Sequence, residues 1–116
     1  MNDLTEQVCE ACRIDAPRVS SSELSAMLEQ IPQWAVVKEE GVSQLQRAYQ
    51  FPSFVAALDF TNQVGALAEK EDHHPALLTE WGRVTIRWWT HKIKGLHKND
   101  FICAAKTDVL YASRQD

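Results

Sequence analysis

The sequence predicts an α+β fold, a four-stranded antiparallel sheet with three helices packed on one face, in the order α-β-β-α-β-β-α. Three observations predict it. Apolar residues recur at helical spacing near Leu24, from Phe54 to Glu71, and after Asn99. The segments between them are short, β-branched or alternating, as half-buried strands are. Each pair of such segments is split by a glycine-bearing turn, at Glu39-Glu40-Gly41 and at Gly82-Arg83, so each pair reads as a hairpin.

The elements follow in order. Ser20 and Glu23 have the spacing of a capping box, in which each side chain satisfies the other's free backbone N–H. Leu24, Met27, Leu28 and Ile31 give the first helix its apolar face, and Pro32 stops it. Trp34–Lys38 is the first strand. Ser43–Phe51 is the second, with Leu45, Arg47, Tyr49 and Phe51 on one side. Arg47 is expected at a sheet edge, its stem packed and its head in water. Ser53 is placed to cap the longest helix, Phe54–Glu71, whose stripe is Phe54, Val55, Leu58, Val64, Leu67 and Ala68. Gly65 within it costs roughly 1 kcal/mol relative to alanine, which a close contact with the sheet would justify. Ala76–Trp81 and Val84–His91 form the second hairpin, with Arg87, Trp89 and His91 sharing one face. Lys92–Lys98 is a basic loop. Asn99 is expected to cap the last helix, with Asp100 in its first turn and Phe101, Ile102, Ala105, Val109 and Leu110 facing the core.

The 116 residues suit one domain, read as 20–116 after an N-terminal tail, 1–19. A net charge of -4 argues against a nucleic-acid partner, which requires a basic patch. No apolar run approaches the roughly 20 residues that span a membrane. The opening MNDLTEQ lacks the basic and apolar regions of a secretory signal, so a cytoplasmic location is expected. Cys9, Cys12 and Cys103 make an odd count, which does not suit a disulfide framework. Cys9 and Cys12 form a CxxC with no second ligand pair to complete a zinc site, so they read as a free or loosely used thiol pair, with metal binding the lesser alternative.

The stretch from Glu69 to Asp100 holds all four histidines and three of the four tryptophans. Adjacent His73 and His74 make a poor metal pair, since neighbouring side chains diverge on a helix or a strand. On spacing alone they read equally as surface histidines at a helix end, where the dipole favours an imidazolium. An acid–base site needs an imidazole that titrates near neutrality, a group to orient it and an apolar wall for a flat substrate. Glu69, Asp72 and Asp100 could orient; Trp81, Trp88 and Trp89 could form the wall, or simply pack the sheet. His97, beside Lys98, reads as a solvated loop residue.

EKEDHHP, Trp81 with Val84, Thr90-His91, Gly95-Leu96 and Asp100, taken together, resemble the signature of the pterin-4a-carbinolamine dehydratases. The resemblance covers roughly Ser20 to Ser113. His97 departs from the pattern, because the family often has serine or threonine there to cap the last helix. The resemblance implies a lyase that removes water from 4a-hydroxytetrahydropterin to give quinonoid dihydropterin. This step recycles the pterin used by aromatic amino acid hydroxylases. It implies that His73, His74 and His91 are catalytic, with His73 and His91 transferring protons and His74 mainly binding substrate. Glu69 and Asp100 would orient histidines or hold the pterin, which would lie against Trp81. No metal and no organic cofactor are required, and a homodimer or homotetramer is expected. Two other readings stay open: a protein-binding or dimerisation module of the same fold, and a pterin-related role near molybdenum cofactor synthesis.

Overall fold

A computed structural model describes residues 20–113. Cys9 and Cys12 lie outside the described residues. The elements are α1 (Ser21–Leu28), β1 (Ala35–Glu39), β2 (Val42–Gln50), α2 (Phe54–Glu71), β3 (Ala76–Glu80), β4 (Arg83–Trp88), a 3-10 turn (His91–Ile93) and α3 (Lys98–Ala112). The predicted class and order are those observed.

The capping box forms as expected at α1: Ser20 Oγ accepts the Glu23 N–H, and the Glu23 carboxylate accepts the Ser20 N–H. Hydrogen bonds from Ser20 hold the Glu23 carboxyl below its ordinary pKa. The first hairpin turns through Glu40 (φ 52°) and Gly41 (φ 81°), the paired positive φ angles that match the twist of tightly joined strands. Both hairpins are antiparallel, and β2 also pairs with β4, giving the sheet order β1-β2-β4-β3. Leu45 lies opposite Trp88 and Tyr49 opposite Val84. These residues and Ile86 point to one face and are buried there against Phe60 and Val64 of α2 and Phe101 and Ile102 of α3. Leu24, Met27 and Leu28 of α1 pack at the margin of this core.

Four details differ from the sequence reading. Arg47 is not at an edge, because β2 lies between β1 and β4. Its guanidinium stacks 4.3 Å from the Tyr49 ring centroid and pairs with Asp108 at 2.7 Å. The core side of α2 is Ala57, Phe60, Val64 and Ala68; Phe54, Val55 and Leu58 of the expected stripe are exposed. At 100° per residue those three fall on a flank of α2, beside the side that meets the core. Gly65 makes no close approach: a Cβ built there meets nothing within 4 Å. Finally, β4 stops at Trp88, and His91 opens a 3-10 turn instead of ending a strand.

Asp108 on α3 gathers the sheet. One oxygen, Oδ1, accepts from Trp34 Nε1 at 3.0 Å, Arg47 Nη1 at 2.7 Å and Tyr49 Oη at 2.5 Å. Burial, and next the negative charge of Asp108, push the Tyr49 hydroxyl well above its ordinary pKa.

Candidate active site

The site is set by how α2 ends. Asp72, expected as a candidate orienter, is instead the left-handed residue that terminates the helix, with φ 50°. The His73 N–H donates to the Ala68 carbonyl at 3.1 Å and the Asp72 N–H to the Glu69 carbonyl at 3.3 Å. This pair of bonds satisfies carbonyls that a helix end otherwise leaves open. The reversal sends the two adjacent histidines to different surroundings. His73 is 2% exposed and so is not a surface histidine, while the His74 side chain is 56% exposed.

His73 lies inside, its ring parallel to the Trp88 indole with centroids 5.7 Å apart. Its Nε2 is 2.6 Å from Asp100 Oδ1. Asp100 is itself fully buried. A buried carboxylate needs donors to offset its lost hydration, and the second oxygen has them. Asp100 Oδ2 accepts from Thr90 Oγ1 at 2.9 Å and from the His97 N–H at 2.8 Å. Thr90 is held by an isolated bridge to Gly95, closed through Lys94 at φ 50°.

At the surface, His74 Nε2 lies 2.8 Å from Glu69 Oε2, so the expected reach of Glu69 along the helix is realised toward His74. His91 comes from the other side, where its Nε2–H donates to the His74 carbonyl at 3.1 Å. That bond leaves Nδ1 as the acceptor of a neutral ring. Trp89 stacks on His91 with centroids 4.4 Å apart. The fold therefore brings together His73, His74, His91, Glu69 and Asp100.

Trp81 is not brought to this cluster within the chain. It stands at the β3–β4 turn and is 74% exposed. The run of β3 from Ala76 separates it from the histidines by about 17 Å at the usual strand rise. The aromatic rings against the imidazoles are Trp88, on His73, and Trp89, on His91.

Two neighbours of the site are not legible as such in the sequence. Thr90 stands out there only as part of a motif, and its bond to Asp100 is a tertiary contact. His97 reads as solvated and Asn99 as the cap of the last helix, but the structure reverses this. His97 is 3% exposed and caps α3, its Nδ1 accepting the Asn99 N–H at 3.1 Å. An acid three residues after the cap, Asp100, is the signal that the sequence carries for it. Among the described residues no three His, Cys, Asp or Glu side chains are arranged to hold one metal ion.

The end of α2 thus sets one imidazole against a buried carboxylate and the next against an exposed one, within an α+β layer. The family follows from comparison. Residues 17–110 match the family model described as pterin 4 alpha carbinolamine dehydratase, and the chain belongs to that family. Relatives named "Putative pterin-4-alpha-carbinolamine dehydratase" occur in Saccharophagus degradans and Nitrosococcus oceani. The first is 60% identical over 96% of this chain and 98% of the relative. The second is 59% identical over 95% and 97%. A crystal structure of a transcriptional coactivator/pterin dehydratase from Brucella melitensis superposes with a TM-score of 0.72 at 30% identity, covering 81% of this chain and 98% of that one. A pterin dehydratase-like protein identified as a RuBisCO assembly factor in the alpha-carboxysome shares the fold, with a TM-score of 0.59 at 20% identity over 71% of this chain and 93% of that one.

Proposed function

We propose that the protein dehydrates 4a-hydroxytetrahydropterin to quinonoid dihydropterin, recycling the cofactor of an aromatic amino acid hydroxylase. Family membership supports the dehydratase class. One geometric observation supports the site: at the end of α2, His73 and His74 stand against carboxylates at 2.6 and 2.8 Å, and the His91 ring donates to the His74 carbonyl at 3.1 Å.

The reaction breaks the C4a–O bond as the leaving hydroxyl takes a proton and departs as water. Ring N5 loses its proton, and the electron pair freed there forms the new C=N bond. No electrons are gained or lost overall. One group must give a proton and one must take it, and imidazoles do both near neutrality. His73 and His91 take these roles. His73 has a carboxylate partner that fixes its orientation, as a proton-transfer imidazole requires. His91 presents an acceptor nitrogen beside the flat face of Trp89. His74, paired with exposed Glu69, holds the pterin, whose ring nitrogens and amino group suit that pair.

The test follows the absorbance of the quinonoid product from freshly made carbinolamine. Wild type should exceed the spontaneous rate, and His73→Ala and His91→Ala should each lose about 100-fold or more in kcat. His74→Ala should act mainly on KM. No acceleration by wild type would sink the assignment. A His73→Gln variant that keeps full kcat would reduce the buried histidine to scaffold.

A homodimer or homotetramer is part of the proposal. Exposed Phe54, Val55 and Leu58 lie on one side of α2, apolar area of the kind that marks contact surfaces. The same row supports a second reading, a protein-binding module, and the Brucella melitensis relative, described as a transcriptional coactivator as well as a pterin dehydratase, favours it too. That reading predicts tight association with a partner and indifference to histidine substitution.

A further inference from the structure

We propose that His97 is a positioning residue for the site, acting through Asp100 on His73, and that it does so as a neutral imidazole. Its role in catalysis rests on the dehydratase reading above, but the geometry stands independently. Asp100 is fully buried and holds His73 through Oδ1 at 2.6 Å. The direction of that carboxylate is set from its other oxygen, which accepts the His97 N–H at 2.8 Å and the Thr90 hydroxyl at 2.9 Å. His97 N–H keeps this aim only while residue 97 holds its extended conformation, φ -124° and ψ 162°. What fixes that conformation is the cap, in which His97 Nδ1 accepts the Asn99 N–H at 3.1 Å.

The cap and the catalytic contact are thus one linkage: Asn99 N–H to His97 Nδ1, His97 N–H to Asp100 Oδ2, Asp100 Oδ1 to His73 Nε2. Serine or threonine can supply the same acceptor from a hydroxyl. Imidazole supplies it only with the proton on Nε2, since a doubly protonated ring has two donors and no acceptor. Asp100 and His73 are the ionisable partners within this linkage, and Lys98, exposed in the first turn of α3, lies near enough to Glu23 of α1 for its charge to help lower the Glu23 pKa.

The test compares acceptor-bearing with acceptor-free side chains of equal size. His97→Ser and His97→Ala leave nearly the same void, as do His97→Thr and His97→Val. Two readouts are taken on each folded variant: kcat and KM for carbinolamine dehydration, and the ring ¹⁵N resonances of His73, assigned against His73→Gln. The serine and threonine variants should keep wild-type His73 resonances and kcat. The alanine and valine variants should move the His73 resonances toward those of Asp100→Asn and lower kcat about tenfold with KM little changed.

The proposal is overturned if the two sets perturb His73 equally, which would make the void the cause. It is also overturned if His73 is unmoved in all four. Folded serine and threonine variants beside unfolded alanine and valine variants would make His97 a stability residue only, and would overturn it too. Wild type without dehydratase activity would refute the functional reading, while the His73 resonances would still decide the linkage.

Discussion

Tyr49 shows how much one residue's surroundings can set. Its hydroxyl is buried and donates to an oxygen that also accepts from Trp34 and Arg47. Burial first, and the Asp108 charge second, raise its pKa, with Arg47 opposing. The sign of the consequence follows: the folded protein keeps a proton that the unfolded chain releases above about pH 10. The contribution is fully present below that value and is lost as pH rises beyond it. Urea midpoints should therefore fall between about pH 9 and pH 11, and Tyr49→Phe should flatten that fall. An identical slope in the Phe variant would show that other groups carry the alkaline limb. Neither the cluster nor its titration is legible from the sequence. Tyr49 and Arg47 are visible on one strand face, but Asp108 comes from a helix about sixty positions away.

At the scale of elements, α2 separates what periodicity fixes from what it does not. Its bounds, Phe54–Glu71, and its Ser53 cap agree with the sequence reading, because a cap residue and apolar spacing are local signals. Its buried side agrees only in part, because Phe54, Val55 and Leu58 also fit a helical stripe. Only the position of the sheet decides which stripe is covered. Gly65→Ala in this helix should raise stability by about 0.5–1 kcal/mol, since the helical backbone accepts alanine and the Cβ meets open space. Thermal melting reads this, and a lower melting temperature would mean that Gly65 faces a neighbouring subunit. Val55, 67% exposed, tests the apolar row. Val55→Glu should shift wild-type oligomers to smaller species in sedimentation velocity, with the helix content unchanged. A wild type that sediments as a monomer would refute the oligomer proposal outright.

In the whole molecule, the two hairpins meet at Gly82. The Phe51 N–H donates to the Gly82 carbonyl at 2.9 Å, and a Cβ on Gly82 would lie 3.1 Å from the Phe51 carbonyl oxygen. With φ 73°, the position also strains any side chain. Gly82→Ala should cost about 1–2 kcal/mol in chemical denaturation. A neutral result would show that the hairpins can separate there without loss. The long-range arrangement matters to the site for the same reason. The β2–β4 pairing places Trp88 in the core behind His73, and α3 delivers Asp100 to the same point.

Fold class, element order, hairpin turns, the capping box at Ser20 and the histidine motif that marks the family are all written in the chain itself. They are local or ordered features, carried by spacing, turn chemistry and side-chain type. Three others emerge only when the elements pack. His73 is buried while its neighbour His74 is exposed, His97 caps α3 in place of Asn99, and Trp88 and Trp89 instead of Trp81 stack on imidazoles. One cause underlies all three. Burial and hydrogen-bond partners depend on which distant elements arrive at a point, and a left-handed turn at Asp72 can send adjacent residues to opposite environments without leaving a periodic trace.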